Sequence, residues 1–183
     1  FGNVKKEELG GYVEKEDNLC HSGNAWVYDD AKVRGNARVY GNAEVSGDAL
    51  VFGNAKVYDN ALVTDNASVT DNAEVYGDAT VSGNAAVSGN ALVYDNARVS
   101  GVANAAIFGN AASVYENAKV YGNALVSRAE VYGNAQVYGN AQVSLSARVY
   151  GNAEVYGDAL VSLDAEVTGN AKVYGNAEVY GYT

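Results

Sequence analysis

The chain has 183 residues, a net charge of −10 and a hydrophobic fraction of 48% made mostly of Ala, Val and Tyr, with one Trp and no Met. Its single Cys excludes an intramolecular disulfide, and no apolar run is long enough for a membrane-spanning helix. Charges of both signs are mixed along the chain, which argues against a basic nucleic-acid track.

Residues 1–22 differ from everything after them. Gly10-Gly11-Tyr12-Val13 is followed by Asp17-Asn18-Leu19, which predicts a capping segment whose Val13, Leu19 and Tyr12 cover the open end of a first coil. Cys20 has no companion with metal-ligand spacing and reads as a small buried group. His21, the one histidine, has no carboxylate motif or catalytic loop around it and reads as a capping or surface residue. No charged-then-apolar leader of the secretory kind is recognisable.

From Gly23 to Tyr180 the chain repeats Gly-Asn-Ala-x-Val-Tyr/Ser. Ala-x-Val-Tyr alternates with period two, the signature of a short strand with one face buried. Gly-Asn or Asp-Asn then supplies residues that tolerate positive φ at a tight corner. Each hexad is therefore one strand and one corner, stable only if its edges pair with equivalent strands above and below. The absence of Pro fits a ladder that uses every backbone N–H. Thirteen hexads run to Ser100, five irregular units fill 101–132, and eight regular hexads end at Tyr180. At three sides per coil this predicts eight to nine coils. Gly101 to Phe108 is two residues long, Gly109 to Tyr115 one long, and Arg128 to Tyr132 one short. Bulges at corners would absorb these slips, because a shifted strand would turn its apolar face outward. The alternative is a loop bent outward for a partner. Residues 181–183 carry no second cap, so the last coil is expected to leave unpaired strand edges.

The phrase Val-x-Gly-Asn-Ala-x resembles the hexapeptide repeat of left-handed parallel β-helix proteins, with aliphatic Val opening the hexad and small Ala four residues on. The resemblance implies an all-β, single-stranded, triangular coil of left hand. The opening Gly10-Gly11-Tyr12-Val13, Asp17-Asn18-Leu19 and Gly23-Asn24-Ala25-Trp26-Val27-Tyr28 is similar to the start of bacterial and phage-borne hexapeptide proteins. This implies a bacterial or phage source, with a cytoplasmic or particle-bound location expected over secretion.

Assigning every third hexad to one side places Tyr40, Tyr58, Tyr76, Tyr94, Tyr115, Tyr132 and Tyr150 in one outward strip. A second side takes Ser46, Thr64, Ser82 and Ser100, then Tyr121, Tyr138, Tyr156 and Tyr174; the third is mostly Ser, with Phe52 and Phe108. Stacked Tyr residues are a β-favouring surface choice in their own right. They also suit contact with a protein, a glycan or a second copy of the chain. The expected function is a non-enzymatic scaffold or assembly element, working through this strip or the open C-terminal end. No cofactor, metal or membrane partner is expected, and nucleic acid is disfavoured. Two alternatives stand beside it. One is a trimeric acyltransferase-like enzyme, as resembling hexapeptide enzymes imply, with His21 as base. The other is an acidic DNA mimic using an edge of Asp59, Asp78, Asp95 and Glu116. The corner acids Asp59, Asp65 and Asp71 could hold calcium, but the phrase is not the calcium-binding nonapeptide.

Overall fold

A computed structural model describes residues 10–20, 23–102 and 111–181. The described residues contain no α-helix; they form strands of two or three residues gathered into three parallel sheets of nine, eight and nine strands. The chain visits the sheets in turn, so each sheet is one face of a three-sided β-solenoid of about nine turns. Face one begins Tyr12–Val13 then Lys32–Val33, face two begins Arg38–Val39, and face three begins Trp26–Val27.

The hexad dictates this arrangement. In every regular unit Ala and Val point inward and the flanking residues point out, and the inward residues from Ala31 to Val161 described here are essentially inaccessible. Like residues stack: Val33 pairs in register with Val51, and Val51 with Val69. A buried Val contributes roughly 1.5–3 kcal/mol relative to exposure, and each turn of chain adds three. The strands are too short to stand alone, so the main-chain bonds between turns complete the stability, as in Lys32 N–H to Ala49 C=O at 2.8 Å.

The corners use the left-handed region. Gly53 sits at φ 78° and Asp71, one turn on at the same corner, at 60°. At Gly83 (φ 65°) an added Cβ would lie 2.0 Å from the Gly101 carbonyl oxygen, so no side chain fits without moving the backbone.

The opening segment is an irregular first turn of the same solenoid. Tyr12–Val13 pairs in parallel with Lys32–Val33 on face one, a 3-10 turn at Glu16–Asn18 replaces the corner, and Leu19 bridges to Val39 on face two. Val13 and Leu19 pack against the core as expected. Tyr12 does not: it faces solvent at 56% exposure, because strand alternation turns it outward beside Lys32. Cys20 is exposed, not buried. The buried residue of the cap is Asn18, which the sequence pattern did not single out. His21 and Phe108 lie outside the described residues, as do residues 1–9 and 182–183.

The irregular stretch changes the count. Val87 pairs with Val114 and Arg98 with Leu125, a step of 27 residues where the regular step is 18. Ser113 then pairs with Glu130, a step of 17. The strand before the irregular stretch, Arg98–Ser100, lies on face three and the next described strand, Ser113–Val114, on face one; among the described residues 111–132 supplies four strands, and the expected units at 101–115 fall partly outside the described residues. Gly-Asn recurs at Gly109-Asn110, so spacing alone cannot separate one long connection from two imperfect hexads. The short unit is a corner deletion at Arg128, with Ala129 and Val131 still inward.

Candidate binding surface

An error of one unit rotates everything after it by one face. Tyr40, Tyr58, Tyr76 and Tyr94 stack on face two, but the next ring in that column is Tyr121, not Tyr115. The column continues through Tyr138, Tyr156 and Tyr174, giving eight rings with centroids 4.8–5.3 Å apart and planes within 12° of parallel. Tyr115, Tyr132 and Tyr150 form a separate three-ring stack on face one, in line with Phe52. Face three carries Ser46, Thr64, Ser82, Ser100, Ser127, Ser144 and Ser162, of which Ser46 donates to Thr64 Oγ1 at 3.0 Å. The expected strip thus breaks at one join: its first four rings and its last three each stack as expected, but Tyr94 is followed by Tyr121 and the two runs stand on different faces.

The strand spacing sets the ladder. Identical side chains one turn apart sit at the inter-strand distance, which matches offset stacking of phenol rings. The hydroxyls reach across to the variable residue one turn on: Tyr58 donates to Glu74 at 3.1 Å, Tyr121 to Gln136 at 3.3 Å and Tyr138 to Glu154 at 3.1 Å. Glu74 also pairs with Lys56 at 2.8 Å and Glu154 with Lys172 at 2.9 Å. Burial among neighbouring rings raises these phenols. Tyr94 is pushed up to about 12, with further help from Tyr121, and Tyr138 also to about 12, with help from its bond to Glu154. Tyr115 in the short stack is likewise raised to about 12 by burial and then by Glu130. Tyr94, Tyr115 and Tyr138 therefore stay neutral across the ordinary pH range.

Two corners carry amide ladders. Between faces one and two, Asn36, Asn54, Asn72, Asn90, Asn117, Asn134, Asn152 and Asn170 each donate Nδ2 to Oδ1 of the next, at 3.0–3.2 Å. Between faces two and three the ladder comes in segments: Asn24, Asn42 and Asn60 end on Asp78, and Asn96, Asn123 and Asn140 end on Asp158. A carboxylate accepts but cannot donate, so Asp stops the run.

Corner acids have a structural task. Asp29, Asp59, Asp65, Asp71 and Asp95 each accept the N–H of the Gly one turn on: Gly47, Gly77, Gly83, Gly89 and Gly122. Asp59, Asp65 and Asp71 lie at three different corners, and no described group of three or more His, Cys, Asp or Glu is gathered as a metal would require. Glu116 lies at the corner between faces one and two beside Asn117, whereas Asp59, Asp78 and Asp95 share the next corner. The expected four-acid edge is therefore three acids long.

Three parallel sheets closed around one column of Ala and Val define a β-solenoid repeat protein. Four windows of the chain, 73–89, 85–101, 135–151 and 147–163, match the family model of the YdcK β-solenoid repeat. They fall in the two regular stretches on either side of the long connection. No curated protein matches the chain.

Proposed function

We propose that the protein is a non-enzymatic rigid scaffold whose face-two tyrosine ladder is the contact surface for another protein or a second copy of itself. The supporting observation is the unbroken column of eight rings from Tyr40 to Tyr174. It spans roughly 35 Å at the spacing of a sheet. Stacking turns each ring face toward its neighbour, so the ladder offers ring edges and hydroxyl oxygens to an incoming partner. That geometry favours a flat protein surface over a sugar, which binds best to an open aromatic face. A bacterial or phage source, and a cytoplasmic or particle-bound place of action, belong to the same reading through the opening segment.

The test replaces Tyr58, Tyr76 and Tyr94 together with Ser. The column is solvent-facing, so the circular dichroism of the solenoid should persist while self-association in sedimentation velocity weakens. An unchanged concentration dependence of the sedimentation coefficient, with the fold intact, would remove the ladder as a self-contact surface. Binding of an identified protein partner that survives the same triple change would remove it altogether.

A further inference from the structure

Among the described corners, one column departs furthest from the repeat. At the corner leading from face three to face one, three successive turns carry Arg128 alone, Leu145-Ser146 and Leu163-Asp164 in place of Gly-Asn. Arg128, Leu145 and Leu163 all lie in the left-handed region, at φ 52°, 53° and 55°. Every other described residue there, apart from their corner partners, is Gly, Asp or Glu116. A large side chain is unfavourable in that conformation, and neither Leu recovers it by burial: Leu145 is 37% and Leu163 48% exposed. The other corners keep their Asn ladders through the same turns. At these three corners the chain departs from its phrase against local preference.

Beside this corner lies a concavity of about 400 Å³ lined by Ser113, Arg128, Glu130, Ser146, Arg148 and Asp164, together with small alanines. Its size is that of a small-molecule site. Arg148 is held by Glu166 at 2.6 Å. The Arg128 guanidinium and the carboxylates of Glu130 and Asp164 have no ion pair or side-chain hydrogen bond among the described residues.

We propose that this corner concavity is a binding site for a small hydroxylated carboxylate of the uronic acid class. The planar guanidinium fork of Arg128 matches a carboxylate in two parallel hydrogen bonds. Glu130 and Asp164 are acceptors only when ionised, so they repel a bare anion and reward one that brings O–H donors alongside its charge. Ser113, one turn before Glu130 and paired with it, lines the same concavity as a group that both donates and accepts. The site is independent of the tyrosine ladder, which stands on face two.

The experiment is a titration of the protein with sodium glucuronate, followed by amide NMR and calorimetry, beside parallel titrations with acetate and glucose. Glucuronate should saturate, with shifts confined to residues 111–114, 128–131, 146–148 and 164. Glucose, which lacks charge, should bind at least about tenfold more weakly, since a charge-assisted pair is worth that factor or more; acetate, which keeps the charge but lacks the hydroxyls, should bind about tenfold more weakly through the loss of their neutral hydrogen bonds. Arg128→Gln should weaken glucuronate by about tenfold on the same reasoning, with Lys119→Gln on face two leaving it unchanged. Arg128→Gly, which also relieves the backbone, serves if the first variant folds poorly. Absence of a saturable response to glucuronate, equal binding of acetate, or full affinity in Arg128→Gln would each overturn the proposal.

Discussion

Asn18 is the residue whose loss should detach the first turn from the rest. It is fully buried, accepts the Lys15 N–H at 3.0 Å, and donates Nδ2 to the carbonyls of Ala37 at 2.7 Å and Gly35 at 3.1 Å. Asn18→Ala removes all three bonds and leaves two carbonyls and one N–H without partners. At about 1 kcal/mol per bond the loss is about 3 kcal/mol, more where water cannot enter. In a solenoid each turn contacts only its neighbours, so this penalty falls on the first turn. The readout is native-state hydrogen exchange of the Gly11, Tyr12 and Cys20 amides, which donate to Val27, Ala31 and Val39. Their exchange should accelerate about a hundredfold, at tenfold per 1.4 kcal/mol. The Leu92 amide, bonded to Ala118 in mid-rod, should be unaffected. Asn18→Asp separates two explanations. It keeps the volume and the acceptor but removes the donors, so it should be at least as damaging as Ala. If Asn18→Asp exchanges like the parent, lost donors are not the cause and the reasoning fails.

Four further outcomes follow from the same geometry. Val75→Ala, at a fully buried position of face two, should cost about 2–3 kcal/mol in urea denaturation, because two methyl groups leave a space the stacked neighbours cannot close. Asn72→Asp still accepts from Asn54 but cannot donate to Asn90, so it should lose about 1 kcal/mol by the same assay. Gly77→Asp would stack a third carboxylate between Asp59 and Asp95; its destabilisation should shrink with added salt as the repulsion is screened. Alkaline titration of phenolate absorbance should show native Tyr94, Tyr115 and Tyr138 ionising near 12, against about 10 in the unfolded chain. Because the folded value is the higher one, their contribution to stability is complete below about pH 10 and disappears as pH rises through about 12. Native absorbance rising with a midpoint of 10 at these residues would contradict the packing assigned to the ladder.

The hexad by itself determined the strand, the corner, the inward Ala and Val and the stacking of units edge to edge; the triangular section was implied by the family resemblance, and the three sheets show it. Alternation and Gly-Asn corners are local properties, and a strand of this length has one way to satisfy its edges. It determined less where its own period broke. Residues 101–115 contain enough Gly and Asn to be counted as two units, one on each of two faces, yet Val87 on face one pairs in register with Val114. That single count decided whether Tyr94 stacks on Tyr115 or on Tyr121, and so which faces carry the ladders. Main-chain pairing across the break, invisible in the period, settled it.

Tertiary structure alone also decided the part played by Asn18, because the carbonyls of Gly35 and Ala37 that it holds lie 17 and 19 residues away, on the turn that the opening segment covers. The same holds for the corner acids, which read as surplus charge until each is seen one turn from the Gly N–H that it accepts. It holds again for Arg128, Leu145 and Leu163, separated by 17 and 18 residues and brought into one column only by the winding of the chain. A repeat fixes what every turn has in common. What distinguishes one turn from the next depends on which turns lie against each other, and that is settled by long-range register.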